Sequence, residues 1–227
     1  MGKRVFHGSS HIVERPIFGG GRTHNDYGPG FYCTEQLCMA QEWAVDIARD
    51  GFANVYDIDL AGLSILRLNS DEYSTLGWLA VLLENREFDV PSPLAFEARE
   101  YLLANFLPAY RDYDIITGYR ADDSYFSFAQ DFINGTISLR QLQHAMHLGK
   151  LGSQFVIKSQ RAFERLTFIE AREARAIDWY GKKQVRDQTA RRDYLDLSRN
   201  KRKKGDIYVL QIIDEEMKPG DGDPRLR

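Results

Sequence analysis

The order of strand-like and helix-like segments limits the fold of this chain most strongly. Short apolar or alternating runs predict strands, and longer runs with helical periodicity separate them at irregular intervals. The predicted strands are Lys3–His7, Phe31–Cys33, Asn54–Leu60, Ser64–Leu68, Tyr113–Thr117, Ser153–Ser159 and Arg165–Ile169. Since these strands do not alternate regularly with single helices, the pattern predicts an α+β fold and not a doubly wound parallel sheet.

Helices are predicted between these strands, and their ends are marked by capping residues. Ser92 followed by Pro93 is a typical helix start, and a glycine after an apolar run is a typical end. The predicted N-terminal caps are Thr34, Ser70 and Ser92, and the predicted helix ends are Gly51, Gly135 and Gly149. From Glu170 onward the chain is predicted to be helical and increasingly polar.

A length of 227 residues fits one domain with an extension. We place the domain at residues 1–170 and a polar, basic, helical C-terminal extension at residues 171–227. The net charge is −3, yet the segment from Arg172 to Lys204 holds twelve Lys or Arg against five Asp or Glu. A solvated helix explains this segment most simply, and a surface for nucleic acid or an acidic partner is the alternative.

The composition favours a cytoplasmic protein without a membrane partner. Hydrophobic residues make up 43% of the chain, but no apolar run approaches the ~18 residues of a membrane span and no signal peptide is evident. Cys33 and Cys38 are the only cysteines, which suits a reducing compartment. His144 and His147 lie one helical turn apart without a third ligand at useful spacing, so we expect no metal.

Two short motifs near the N-terminus carry the candidate chemistry. "FHGSS" (Phe6–Ser10) ends the first strand, and "YGPGFYCTE" (Tyr27–Glu35) runs through the second. Gly28 and Gly30 allow backbone angles or close approaches that a Cβ atom forbids, and Pro29 between them fixes its own φ. Taken alone, the second motif is equally well explained as an ordinary turn that feeds a strand.

Together the two motifs resemble the donor-site motifs of the ADP-ribosyltransferase superfamily, on its diphtheria-toxin and poly(ADP-ribose) polymerase side. There a strand-end His-Gly-Ser/Thr is followed by Gly-x-Gly-aromatic-Tyr on the next strand. The stretch from Val5 to Ile169 resembles a bacterial branch of that superfamily, some members of which are suspected toxin-like effectors. The resemblance implies a split, mostly antiparallel sheet with inserted helices and a cytoplasmic enzyme that uses NAD as its substrate.

The implied activity is that of a glycosyltransferase, an NAD-dependent mono-ADP-ribosyltransferase. Such an enzyme cleaves the nicotinamide–ribose bond and transfers ADP-ribose to an acceptor, here a protein or a nucleic acid. An antitoxin or regulatory protein is a further partner that the resemblance allows.

The resemblance also implies a role for each matching residue. Cleavage passes through an oxocarbenium-like centre, so the site must hold the nicotinamide and fix the ribose. His7 would bind a ribose hydroxyl, Gly8 the carboxamide through its main chain, and Tyr32 the face of the nicotinamide ring. Arg22, which ends a run of three glycines, would lie near the pyrophosphate. The implied cofactor-binding residues are His7, Gly8, Ser9, Arg22, Gly28, Gly30, Phe31, Tyr32 and Thr34, and the implied catalytic residues are His7, Tyr32 and Gln154.

The third motif of the superfamily differs in this chain. A Glu at the start of a late strand binds the ribose 2′-hydroxyl there, and the matching position here holds Gln154. An amide accepts a hydrogen bond but carries no charge, so chain elongation is not expected. Asp122 and Asp123 are alternative acids, although a helix N-cap is their simpler role. Glu35 and Glu42 we interpret as charges on a helix surface.

Two other functions remain open from the sequence. The first alternative is a catalytically silent module that binds NAD, ADP-ribose or a partner protein, and the neutral Gln154 favours it. In the second, the chain binds nucleic acid through the basic segment "RNKRKK" (Arg199–Lys204), and the motif match is accidental.

Overall fold

The computed structural model describes residues 2–70, 72–121, 123–148 and 152–226. One sheet is formed by the strands β1 (Gly2–Ser9), β2 (Phe31–Thr34), β3 (Gly51–Asp59), β4 (Ile65–Arg67), β5 (Ile115–Tyr119), β6 (Ser153–Ile157) and β7 (Leu166–Ala174). Their order is β4-β5-β6-β2-β1-β3-β7. β4 and β5 run parallel, and the other neighbouring strands run antiparallel.

The described residues also form eight α-helices. These are α1 (Leu37–Ala44), α2 (Thr75–Asn85), α3 (Pro93–Phe106), α4 (Asp123–Ile133), α5 (Leu139–Ala145), α6 (Gln160–Phe163), α7 (Ala176–Ser198) and α8 (Val209–Asp214). In the described part of the chain no helix combines the length and the apolar character that crossing a bilayer requires. The predicted mixture of helices with a mostly antiparallel sheet is confirmed.

Several helix boundaries follow from local capping chemistry and agree with the sequence. The Ser92 hydroxyl accepts a hydrogen bond from the N–H of Ala95, with Pro93 at the first helical position of α3. Gly135 lies beyond α4 with a φ of +73°, a conformation that L side chains rarely adopt. The predicted end at Gly149 lies outside the described residues, as does Asp122.

The predicted extent of α1 is wrong at both ends. Its N-cap is Gln36, and the Thr34 hydroxyl accepts a hydrogen bond only from the Gln36 N–H before the helix begins. The helix ends at Ala44, because Val45 is extended and Gly51 already starts β3. Ile47, which lies three residues beyond the end of this helix, is 73% exposed.

Two further boundaries also differ from the sequence prediction. Helix α2 begins at Thr75, after the cap position Ser74, and not at Ser70. The chain stays extended beyond Glu170 as far as Ala174, where the sequence predicted helix, because β7 pairs with β3 along nearly its whole length. Pairing in the sheet therefore overrides the polar character of this segment.

Two apolar clusters lie on opposite faces of the sheet. The larger packs one face against α2, α3, α4 and α5, and it contains Trp78, Leu79, Leu82 and Leu83, all fully buried. The smaller cluster covers the other face and includes Val5, Cys33 and Phe155. Side chains of alternate residues on a strand therefore enter different clusters.

The C-terminal segment packs into the same body. Ile207, Val209 and Ile212 belong to the larger apolar cluster, and the predicted boundary at residue 170 falls within β7. Glu42 of α1 is only 3% exposed and receives two hydrogen bonds from the Arg186 guanidinium of α7. The interpretation of Glu42 as a helix-surface charge is therefore wrong.

Candidate functional site

The two motif-bearing strands lie side by side but separate along their length. β1 and β2 pair only at Phe6 and Thr34, whereas β1 pairs with β3 over eight positions. Beyond that single pair the His7 side chain spans the gap, and its Nδ1 lies 2.7 Å from the main-chain oxygen of Tyr32. The strands that carry both motifs are therefore neighbours in the sheet.

The His7 ring is held as a neutral imidazole. Burial lowers its pKa below the usual value, and the hydrogen bond to Tyr32 opposes that shift. A carbonyl oxygen can only accept, so Nδ1 carries the proton and Nε2 is the unprotonated nitrogen. The Phe31 ring supports the imidazole with centroids 4.4 Å apart. His7 thus offers a hydrogen-bond acceptor.

A cavity of about 520 Å³ lies beside His7, under the loop between β1 and β2. Its lining includes His7, Arg22, Gly30, Phe31 and Tyr32 from the sequence-predicted set. Arg15 and Glu14 also line it. Together with Arg22, the lining therefore holds two arginines and one glutamate, a net charge of one positive unit. A volume of this size lies in the range of small-molecule sites.

The predicted residues Gly8, Ser9, Gly28, Thr34 and Gln154 lie outside the described lining of this cavity. Gly8 is required by packing, because a Cβ atom there would lie 2.9 Å from the Ala44 nitrogen and even closer to the Ala40 oxygen. Its main chain lies at the edge where β1 separates from β2. α1 therefore presses directly on the strand that carries the first motif.

The two glycines of the second motif are also required by close approach. Gly28 has a φ of +72°, and a Cβ atom there would lie 2.6 Å from Asn85 Oδ1. A Cβ atom on Gly30 would lie 2.7 Å from Val156 Cγ1. The tight turn between Tyr27 and Phe31 therefore depends on glycine at both positions.

The Tyr32 hydroxyl fixes this turn. It donates a hydrogen bond to the Gly28 oxygen at 2.7 Å and accepts one from the Tyr27 N–H at 3.0 Å. Burial raises the pKa of the phenol well above its usual value, so the hydroxyl stays protonated. The side chain packs partly against the larger apolar cluster, opposite Phe31.

Asn54 of β3 organises the start of the cavity loop, and sequence reasoning missed it. Its Nδ2 donates to Ser9 Oγ at 2.9 Å, and its Oδ1 accepts from the Val13 N–H at 2.9 Å. Ser9 Oγ in turn donates to the His11 oxygen at 2.6 Å. The only signal in the sequence was a polar Asn at the start of a predicted apolar strand. In the structure this Asn is fully buried, so its polar atoms need partners within the protein.

Gln154 lies on the other face of the sheet, at the start of β6 opposite Thr34. Its Nε2 donates a hydrogen bond to Asp26 Oδ2 at 3.1 Å. Asp26 is 4% exposed and also accepts from Arg86 and the Ala121 N–H. Asp26 directly precedes the second motif, yet nothing in the sequence pattern marked it as buried.

Two buried polar atoms on this face have no hydrogen-bond partner among the described residues, Gln154 Oε1 and Trp43 Nε1. The Arg120 guanidinium lies 4.2 Å from the centroid of the Trp43 ring. The described residues contain no group of three or more metal-ligating side chains. His147 contacts the edge of the Tyr119 ring, with centroids 5.6 Å apart.

A comparison with protein families gives a match over most of the chain. The model of the DUF3990 family, described as a protein of unknown function, matches residues 3–168. No curated protein and no solved structure matches the chain. The matched region runs from β1 into β7 and contains both motifs, the cavity and Gln154. Because the match covers well over half of its length, the chain belongs to the DUF3990 family.

Proposed function

We propose that this protein is an NAD-dependent mono-ADP-ribosyltransferase. The observation that carries the proposal is the cavity of about 520 Å³ that His7, Arg22, Phe31 and Tyr32 line together. These residues come from two separate motifs and from the glycine-rich loop between them. One cavity therefore combines a neutral imidazole, a guanidinium and aromatic side chains, a set that suits a nucleotide.

Each lining group has a distinct task on NAD. Nε2 of His7 accepts a hydrogen bond from a ribose hydroxyl, because Nδ1 is already used by Tyr32. Arg22 is exposed, has no acidic partner among the described residues, and binds the pyrophosphate. The unpaired edge of β1 at Gly8 offers main-chain groups to the carboxamide. The Phe31 ring, which lies beside His7, provides a face for the nicotinamide, because the Tyr32 ring packs on the opposite face of the sheet.

The reaction breaks the C–N bond between nicotinamide and ribose. Nicotinamide leaves with the bonding electrons as a neutral molecule, and positive charge develops on the ribose. An acceptor atom of a protein or nucleic acid attacks that carbon and loses its proton. The products are nicotinamide, a proton and the ADP-ribosylated acceptor. Transfer of single units fits Gln154, which supplies no negative charge for elongation.

Transfer is tested with NAD labelled on the adenylate phosphate and incubated with the purified protein in a cell lysate. We expect label on macromolecules, and digestion by protease or nuclease then identifies the acceptor class. His7→Ala should abolish labelling, while His144→Ala, an exposed histidine of α5 outside the cavity, should retain it. Absence of label with a folded wild-type protein would contradict transfer.

A catalytically silent module that binds NAD or ADP-ribose is the second candidate, and the neutral amide of Gln154 favours it. Such a module would bind NAD without releasing nicotinamide. A third candidate is nucleic-acid binding by the basic loop Arg199–Lys204, whose residues are all exposed. Salt-sensitive RNA or DNA binding without NAD binding would support that function.

A further inference from the structure

Two side chains of β3 hold the segment of chain that enters the cavity loop. The Val13 N–H donates to Asn54 Oδ1 at 2.9 Å, and the Val13 oxygen accepts a hydrogen bond from the Tyr56 hydroxyl. Asn54 and Tyr56 are both fully buried, and the Tyr56 ring meets the Phe31 ring edge-on with centroids 5.5 Å apart. Both hydrogen-bonding groups of one loop residue are therefore fixed to the sheet.

Glu14 directly follows this fixed residue and lines the cavity. Among the described lining residues Glu14 alone carries a carboxylate, and Arg15 and Arg22 carry the positive charges. The Glu14 side chain is exposed and forms no ion pair or hydrogen bond with another described residue. Its carboxylate is therefore available to a ligand in the cavity.

The contacts behind Glu14 are of the kind that a reacting group needs. A side chain that acts on a reacting centre must be held by supporting residues that are themselves fixed by packing. Val13 cannot move without leaving Asn54 and Tyr56 short of a hydrogen bond, and an unpaired polar group in the interior is costly. The main chain before Glu14 is thus held in place beside the cavity, although the loop itself lies at the surface.

The charge of Glu14 also has the sign that the proposed reaction requires. Cleavage of the nicotinamide–ribose bond leaves positive charge on the ribose, and a fixed negative charge close to it lowers the barrier. Gln154 does not supply that charge, since its amide is neutral and lies on the other face of the sheet. His7 is neutral, and Arg15 and Arg22 have the opposite sign.

We propose that Glu14 is a catalytic residue whose carboxylate faces the ribose of NAD bound in the cavity, with Asn54 and Tyr56 as positioning residues behind it. This inference rests on the proposed function. As the C–N bond breaks, its electron pair leaves with nicotinamide, and the Glu14 carboxylate stabilises the positive charge on the ribose. The acceptor then forms a bond to the same carbon and gives its proton to water.

The test uses variants of the full chain that differ in one charge. Glu14→Gln keeps the length of the side chain and removes its charge, whereas Glu14→Asp keeps the charge. Glu97→Gln, at an exposed position of α3 outside the described lining, is the matched control. Turnover is the initial rate at which label passes from saturating NAD to lysate macromolecules. NAD affinity is measured by calorimetry, and thermal melting confirms folding.

We expect Glu14→Gln to lower turnover about a hundredfold, the size of effect that one electrostatic contact to a transition state has. Its NAD affinity should equal or exceed that of the wild type, because the variant loses a negative charge beside an anionic ligand. Glu14→Asp should lose less turnover than Glu14→Gln, and Glu97→Gln should behave as the wild type. Turnover of Glu14→Gln within threefold of wild type would overturn the catalytic role, as would a loss confined to NAD affinity.

Tyr56→Phe tests the positioning role separately, because it removes only the hydroxyl that binds the Val13 oxygen. We expect turnover to fall about tenfold while NAD affinity stays within threefold of wild type. A purely structural hydroxyl would lower the melting temperature and leave turnover unchanged, and that result would overturn the positioning role of Tyr56.

The outcomes distinguish this inference from the proposed function. If the wild type and Glu14→Gln both bind NAD and transfer label at the same rate, the role of Glu14 is overturned and the proposed function stands. If the folded wild type binds no NAD or transfers no label, the proposed function fails, and the role of Glu14 fails with it.

Discussion

Nδ1 of His7 donates a 2.7 Å hydrogen bond to the main-chain oxygen of Tyr32 across the gap between β1 and β2. One side chain thus joins two strands that share a single ladder pair. Because this histidine is partly buried, its pKa in the folded protein is lowered below the unfolded value of about 6.5. The junction between the two motifs is therefore sensitive to acid.

The first prediction concerns this pH dependence. Below about pH 6.5 the unfolded chain binds a proton at His7 more readily than the folded protein does, so the free energy of unfolding should fall as the pH decreases. Well above that pH His7 is neutral in both the folded and the unfolded state, so it contributes no pH dependence to the free energy of unfolding. Denaturant unfolding at pH 7.5 and 5.5 measures the effect. His7→Gln lacks the titrating group and should lose less stability on acidification; equal losses would contradict the assignment.

The second prediction concerns Gly8, which packs against α1. Gly8→Ala places a methyl group against the main-chain atoms of Ala40 and Ala44, which cannot move without shifting the helix. The free energy of unfolding should fall by about 3 kcal/mol. Gly2→Ala in the same strand is the control, since the nearest atom to its Cβ is 3.9 Å away. Chemical denaturation of both variants decides the point, and equal stability would show that α1 does not press on β1 at Gly8.

The third prediction concerns the Tyr32 hydroxyl. Tyr32→Phe leaves the Tyr27 N–H and the Gly28 oxygen without their shared partner, and the free energy of unfolding should fall by about 1–3 kcal/mol. Tyr180→Phe removes a hydroxyl that only accepts from Gln184 on the surface of α7. That control should change stability by less than about 0.5 kcal/mol. A Tyr32→Phe protein as stable as the control would mean that the hydroxyl does not hold the turn.

Local chemistry made part of the fold predictable. The Ser92 cap and the strands around His7, Tyr32 and Gln154 depend on neighbouring residues, and the sequence placed them correctly. The end of α1 could not be predicted, because it depends on Gly51 returning the chain into β3 beside Ala44.

The buried polar contacts could not be predicted from the sequence, since their partners are far apart in the chain. Asp26 and Gln154 are 128 positions apart, and Glu42 and Arg186 are 144 apart. No periodicity links such pairs. The glycines, by contrast, were flagged correctly as positions of close approach, although packing within the protein explains Gly8 and Gly30 without any ligand.

The central claim is that the cavity beside His7 binds NAD, and calorimetric titration of the purified protein with NAD tests it most directly. We predict saturable binding by the wild type and at least tenfold weaker binding by Arg22→Ala, a difference of about 1.4 kcal/mol. Arg192→Ala, an exposed arginine of α7, should bind as the wild type does. A folded wild-type protein without saturable NAD binding, or Arg22→Ala with unchanged affinity, would contradict the account.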